Sequence, residues 1–305
     1  MEKTVEKANL SVQPNKLVRL GNILVATDFS PASDRAIEYA LSLARSYESR
    51  IIVAHVVSPS TEVIMAPEMA VNNRATAFNA AAEKMGQILI SGRLRGVNHE
   101  TFVGEGPLWP TLERFISKYE ADLVVVGTHN VRGLRKVVLG SGAEEIFRQA
   151  KCPVLTVGPA FDMQTPNEVQ FKNILLATDF GLGAERQAAF AFSLAQEYDA
   201  NVTLLHVMSH LDDYSELGLS LRTEAVSHEL AELVPLGSEL WCKPDVRTEI
   251  GDPVQRILRV AQEKKADLLV VGAKRTTGVG AGHALSSVAY KLAGAAPCPV
   301  LTLRS

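Results

Sequence analysis

Residues 124–142, VVVGTHNVRGLRKVVLGSG, hold the side chains and spacings of this sequence best suited to chemistry. Glycines at Gly127, Gly133 and Gly140 let backbone N–H groups turn toward an anion in conformations that other residues avoid. Gly140-Ser141 opens a helical pattern, and the first N–H groups of a helix are unpaired and carry the positive end of its macrodipole. Arg132, Arg135 and Lys136 add positive charge to the same loop. The chemistry this offers is phosphate binding. A second reading needs no ligand. Ser141 and Glu144 spell a capping box, S-x-x-E, which satisfies those N–H groups from within. The glycines then serve a tight turn, and the three cations form a solvated face. Spacing alone leaves both readings open.

Other chemistry is harder to find. The dinucleotide fingerprint GxGxxG, the phosphate loop GxxxxGK[ST] and the nucleophile elbow GxSxG are all missing. Cys152, Cys242 and Cys298 form no CxxC pair and no even framework, which suits a reducing cytosol. Their plain reading is as small buried side chains. His206 and His210, with Asp212 and Asp213, can be drawn as a metal site, but they fall where a strand runs into a loop and more simply serve no metal.

Bulk properties narrow the class further. In 305 residues, 47% are apolar and 21% charged, an ordinary globular composition with room for more than one core. A net charge of −3 gives no electrostatic argument for nucleic acid or an anionic membrane. No apolar run reaches the ~20 residues that span a bilayer. Residues 1–16 read as a polar, loose tail without a signal core, so the expected location is cytoplasmic.

The elements that must position the glycine loop appear twice. NILVATDFS at Asn22 returns as NILLATDFG at Asn173, and AHVV at Ala54 as LHVM at Leu205. ADLVVVGTH at Ala121 returns as ADLLVVGAK at Ala266, and CPVLTVG at Cys152 as CPVLTLR at Cys298. Matches in one order mean two homologous domains, expected at 17–157 and 171–305, with 158–170 as linker. Each begins with a near-continuous apolar run, the mark of a strand buried on both faces. Ser30-Pro31 reads as N-cap plus first-turn proline, and Ile37, Ala40, Leu41 and Ala44 follow on one helical face. Further helices are expected near 74–90, 110–118 and 141–149. Strands and helices alternate throughout. The fold class is therefore α/β, with two tandem doubly wound open sheets, each of about five parallel strands with helices on both faces.

In such sheets ligands bind beyond the carboxyl ends of the strands, where strand order reverses. The first domain places Ala26-Thr27-Asp28, Val56 and Gly127 there. Val56 and Val126 form an apolar slot for a base, with Asp28 at its rim.

The loop fits G-x2-G-x9-G-[S/T] except at its second glycine, and together with the four repeated segments it resembles the universal stress protein family. The resemblance covers 17–157 and 171–303. It implies an adenine nucleotide α-hydrolase-like fold, ATP as ligand with the Mg²⁺ a polyphosphate usually brings, and homodimers or tandem pairs. It further implies that the fifth strands of the two domains meet edge to edge within one chain, hiding both edges and making an intrachain pseudo-dimer. That pairing would bring Cys152 and Cys298 near one contact. By position, Asp28 and Val56 meet the adenine or ribose, and Ala26 and Val126 line the slot. Gly127, Asn130, Gly140 and Ser141 run along the phosphates, and Gly142 and Ala143 offer backbone N–H groups. Asn130 is the departure; it tolerates the left-handed conformation but could crowd a phosphate. The second domain departs further, with Arg275 for the second glycine, Ser286-Ser287 for Gly-Ser, and Tyr290 in place of the capping glutamate.

Three functions follow for comparison: a nucleotide-binding stress or signalling module acting through an unknown protein partner, a slow ATPase, and an interaction scaffold without a ligand. No placed base or nucleophile supports efficient turnover, since His129 lies in a polar loop and Asp28 lies at the base end. Binding without fast turnover is the favoured reading.

Overall fold

The computed structural model describes residues 18–58, 67–128, 140–159, 169–209, 216–238, 241–273 and 288–304, without the side chains of 67–72 and 216. Its first half runs β1 (Asn22–Ala26), α1 (Pro31–Tyr47), β2 (Arg50–Val57), α2 (Pro67–Ile90), β3 (His99–Glu105), α3 (Leu108–Lys118), β4 (Leu123–Gly127), α4 (Ser141–Gln149) and β5 (Val154–Val157). The second half repeats this as β6 (Asn173–Ala177), α5 (Ala184–Tyr198), β7 (Asn201–Met208), α6 (Glu216–Glu232), β8 (Asp245–Ile250), α7 (Pro253–Glu263), β9 (Leu268–Ala273), α8 (Val288–Ala295) and β10 (Val300–Arg304).

The two halves share one ten-stranded sheet, in the order β3-β2-β1-β4-β5-β10-β9-β6-β7-β8. Pairing is parallel within each half. Order reverses at β1/β4 and at β6/β9, which fixes where each half opens a crevice. The central strands are apolar on both faces because helices cover both, as in Leu24, Ile52 and Val124 on one side and Ile23, Ile51 and Val125 on the other.

Local signals place the elements about the site. Ser30 caps α1, its hydroxyl accepting the Ser33 N–H at 3.3 Å, and Pro31 starts the helix. Asp122 sets the strand starts: one carboxylate oxygen accepts the Gly21 and Asn22 N–H groups at 2.8 and 3.0 Å. Asp267 does the same for Lys172 and Asn173 at 2.8 and 2.9 Å.

The halves meet through identical sequence. In the antiparallel β5–β10 pair, Leu155 faces its own counterpart Leu301, while Thr156 faces Val300 and Val154 faces Thr302. A local two-fold axis therefore passes through the Leu155–Leu301 pair, the isologous arrangement that a repeated tetrapeptide produces when it pairs with itself. Edge pairing within the chain was expected; the position of the cysteines was not. In this register Cys152 lies beyond Val154 toward Arg304, and Cys298 lies beyond Val300 toward Gly158. Six strand residues separate the two levels, roughly 20 Å, against the ~7 Å limit between disulfide-forming Cα atoms. Antiparallel pairing sends equivalent residues to opposite ends, and all three cysteines are free.

Candidate functional site

At the carboxyl ends of β1, β2 and β4 lies a cleft of about 490 Å³. Its walls bring together Ala26, Asp28, Val56, Val126, Gly127, Gly140, Ser141, Gly142 and Ala143, the expected site residues that fall among those described. Asn130 lies outside the described residues, as do His129, Arg132, Gly133, Arg135 and Lys136. Its lining is apolar through Ala26, Ala54, Val56, Val126 and Leu112, and it includes the start of α4.

The base-end wall is a small polar frame. The Thr27 hydroxyl donates to Ser33 Oγ at 2.9 Å and accepts the Phe29 N–H at 3.0 Å. Asp28 is exposed at the rim, and its Oδ1 accepts the Ser30 N–H at 3.0 Å. These contacts hold Phe29 at φ 61°, a left-handed conformation costly for a bulky residue and found where surroundings enforce it. Its ring packs on His55 with centroids 4.4 Å apart. His55 Nδ1 lies 2.7 Å from the Thr27 carbonyl, so Nδ1 carries the proton and Nε2 is left as an acceptor. Burial pushes the His55 pKa down, partly offset by the Thr27 carbonyl and Asp28.

The sequence reading missed His55, Ser33 and Glu145 as cleft residues. A signal for His55 was present: the histidine of AHVV returns as His206 in LHVM. The second half rebuilds the same frame, with His206 Nδ1 2.8 Å from the Thr178 carbonyl, Phe180 at φ 56° and Asp179 Oδ1 accepting the Gly181 N–H at 3.0 Å. The contact to Thr178 gives His206 a partner within the fold; His210, Asp212 and Asp213, drawn with it as a metal site, lie outside the described residues.

At the phosphate-like end one expectation needs correction. The capping box does not form. Gly140 is the N-cap of α4, Ser141 is its first residue, and among the described residues no side chain caps the helix. Glu144 points elsewhere, accepting the Tyr290 hydroxyl at 3.0 Å and pairing with Arg148 at 2.7 Å. The N–H groups of Ser141, Gly142 and Ala143 precede the first intrahelical bond, which Glu144 N donates to the Gly140 carbonyl at 2.9 Å. Glu145 instead caps the neighbouring helix α3, accepting the Trp109 N–H at 3.3 Å. Gly127 lines the cleft and also has a packing role. A β carbon there would lie 2.2 Å from the Ala32 carbonyl oxygen and 2.7 Å from Ser33 N, so the packing of α1 on β4 already requires this glycine. In the second half the counterpart Gly272 is met by the side chain of Gln187, 2.4 Å from where a β carbon would stand, and Gln187 is buried. Arg275, Ser286 and Ser287 lie outside the described residues.

No helix among the described residues is long and apolar enough to cross a membrane. A sequence model of the universal stress protein family matches residues 20–158 and 170–304. A universal stress protein of Mycolicibacterium smegmatis is 28% identical over 293 residues, 92% of this chain and 96% of its own length. One from Thermus aquaticus is 35% identical over 139 residues, 44% of this chain and 99% of its own. Among solved structures, a universal stress protein from Archaeoglobus fulgidus superposes with a TM-score of 0.64 at 19% identity, covering 94% of this chain and 99% of that one. That likeness speaks to the fold.

Proposed function

Because the chain belongs to the universal stress protein family, we propose that the cleft of its first half binds an adenine nucleotide, ATP foremost, and that the loaded protein acts in stress response or signalling through a protein partner. One observation carries this reading: apolar strand-end residues and a helix N-terminus with no side-chain cap among the described residues line a single cleft. Its 490 Å³ falls within the ~300–1,000 Å³ of small-molecule sites.

The base enters between Ala26, Val56 and Val126, with Asp28 offering a polar contact at its edge. The phosphates meet the N–H groups of Ser141, Gly142 and Ala143 and the positive end of the α4 dipole. A polyphosphate brings Mg²⁺ with it, as counter-charge. Binding without fast turnover suits the cleft's acids. Asp28 is held in its own turn and Glu145 by the Trp109 N–H, so neither is placed as a general base.

The test is to purify the protein without added nucleotide, denature it, and identify released small molecules by mass spectrometry. ATP is then titrated by calorimetry into wild type, Asp28→Ala and Ser141→Asp. The last variant adds a carboxylate where α4 begins, which favours the helix but opposes phosphate. The proposal expects ATP to bind wild type and to lose affinity in both variants, while Ser141→Asp stays folded. No released nucleotide and no binding heat at millimolar ATP would leave the interaction scaffold as the surviving reading.

A further inference from the structure

The second half reaches across the two-fold axis onto the helix that opens the first half's cleft. Tyr290 on α8 occupies the repeat position of Glu144 on α4, and the two equivalent residues touch: the Tyr290 hydroxyl donates to Glu144 Oε2 at 3.0 Å. Arg148 holds the other carboxylate oxygen at 2.7 Å. Phe147, one turn on, sits in the second half's core and meets the Tyr290 ring edge-on, with centroids 5.9 Å apart. Arg304 donates to the Phe147 carbonyl at the far end of α4. Its repeat counterpart is Gly158, which lies beside the Ala293 and Ala296 carbonyls of α8 but has no side chain to offer them. Both asymmetric side chains thus belong to the second half, and both act on α4.

From this geometry we infer that Tyr290 is a positioning residue for the first half's anion site: it holds the Glu144 carboxylate off the N-terminus of α4, so that the N–H groups of Ser141, Gly142 and Ala143 face the cleft. The sequence S-x-x-E favours the opposite outcome, a glutamate folded back onto the Ser141 N–H and so placed at the mouth of the helix start. Such a carboxylate would compete with a phosphate for both the N–H groups and the dipole. Glu144 is not among the cleft-lining residues, whereas its neighbours Ala143 and Glu145 are. The inference rests on the nucleotide reading above. It gives the second half a role that does not depend on a ligand of its own.

The experiment titrates ATP into the full chain as wild type, Tyr290→Phe and Tyr290→Phe/Glu144→Gln, with the urea midpoint of each recorded. Phenylalanine keeps the ring against Phe147 and removes only the hydroxyl. With the Tyr290 bond gone, Arg148 still pairs with the carboxylate but no longer shares its hold with Tyr290, and ATP binding is expected to weaken by up to about two- to fivefold, the size of a charge acting at a helix terminus. Glu144→Gln in the same chain removes the competing charge and restores wild-type affinity or better. A merely structural role for Tyr290 would not be rescued by that second change. If wild type binds ATP but Tyr290→Phe binds equally well, or the double variant fails to recover, the inference is wrong and the site stands. If wild type does not bind ATP, the site reading fails and the inference falls with it.

Discussion

Replacing Gly127 with alanine should destabilise the nucleotide-free protein by about 3 kcal/mol, the upper part of the ~1–3 kcal/mol range for over-packing a filled interior. The new β carbon would stand 2.2 Å from the Ala32 carbonyl oxygen, 2.3 Å from its carbon and 2.7 Å from Ser33 N. Those atoms are backbone and cannot rotate away, so the start of α1 must retreat by more than an ångström. It is not free to do so. Ala32 and Ser33 are buried, and the Ser33 hydroxyl is tied to both Thr27 and the Ser30 carbonyl. At about 3 kcal/mol the folded-to-unfolded ratio drops roughly a hundredfold. Gly86→Ala is the control: nothing lies within 4 Å of its β carbon, and it sits inside α2, where alanine gains up to ~1 kcal/mol over glycine. Urea unfolding followed by circular dichroism and by tryptophan fluorescence reads both. The expected order of midpoints is Gly127→Ala below wild type and Gly86→Ala at or above it. If Gly127→Ala matched wild type without nucleotide, this glycine would serve a ligand alone, and the packing argument would be refuted.

Further outcomes follow from the same geometry. His55, neutral in the fold with its pKa held down by burial, contributes stability that is present above the unfolded-state value of ~6.5 and is lost as pH falls toward the lower folded-state value. An imidazole titration by NMR should place it below the free-histidine midpoint, and His55→Gln should flatten the acid limb of the stability profile; a midpoint at or above free histidine contradicts this. Cys298, its thiol pushed up to about 12 by burial, should resist a thiol reagent until the chain unfolds. Under mild oxidant, peptide mapping should find no Cys152–Cys298 disulfide, and finding one would overturn the β5–β10 register. Asp28→Ala should weaken ATP binding while costing only about 1 kcal/mol of stability, since Asp28 is exposed and its bond to the Ser30 N–H lies in a surface turn.

The alternation of strands and helices was legible because its causes are local. Runs such as NILVA can only be strands covered on both faces, and Ser30-Pro31 starts a helix whatever surrounds it. The edge pairing between halves came from the family resemblance, applied to the doubled CPVLT segment. What it did not carry was direction: antiparallel pairing reverses the second copy, which is why Cys152 and Cys298 part instead of meeting. The capping box failed for a related reason. Ser141 and Glu144 have the right types and spacing, but Glu144 chooses between the helix start and partners that only the tertiary fold supplies, Tyr290 from the other half and Arg148 one turn on. Gly127 was read as a phosphate residue from its place in a loop pattern, although the closest demand on it comes from Ala32, ninety-five positions earlier in the chain. His55 could have been found, since both copies keep it beside the apolar residue that lines the slot.

The central claim, an adenine nucleotide with its phosphates on the α4 N-terminus, is tested most directly by following backbone amides by NMR as ATP is added to the isotopically labelled protein. The account predicts the largest shifts at Ser141, Gly142 and Ala143, with accompanying shifts at the Val56 and Val126 methyl groups and little change in α8 beyond Tyr290. Shifts centred elsewhere in the chain, or none at millimolar ATP, would contradict it.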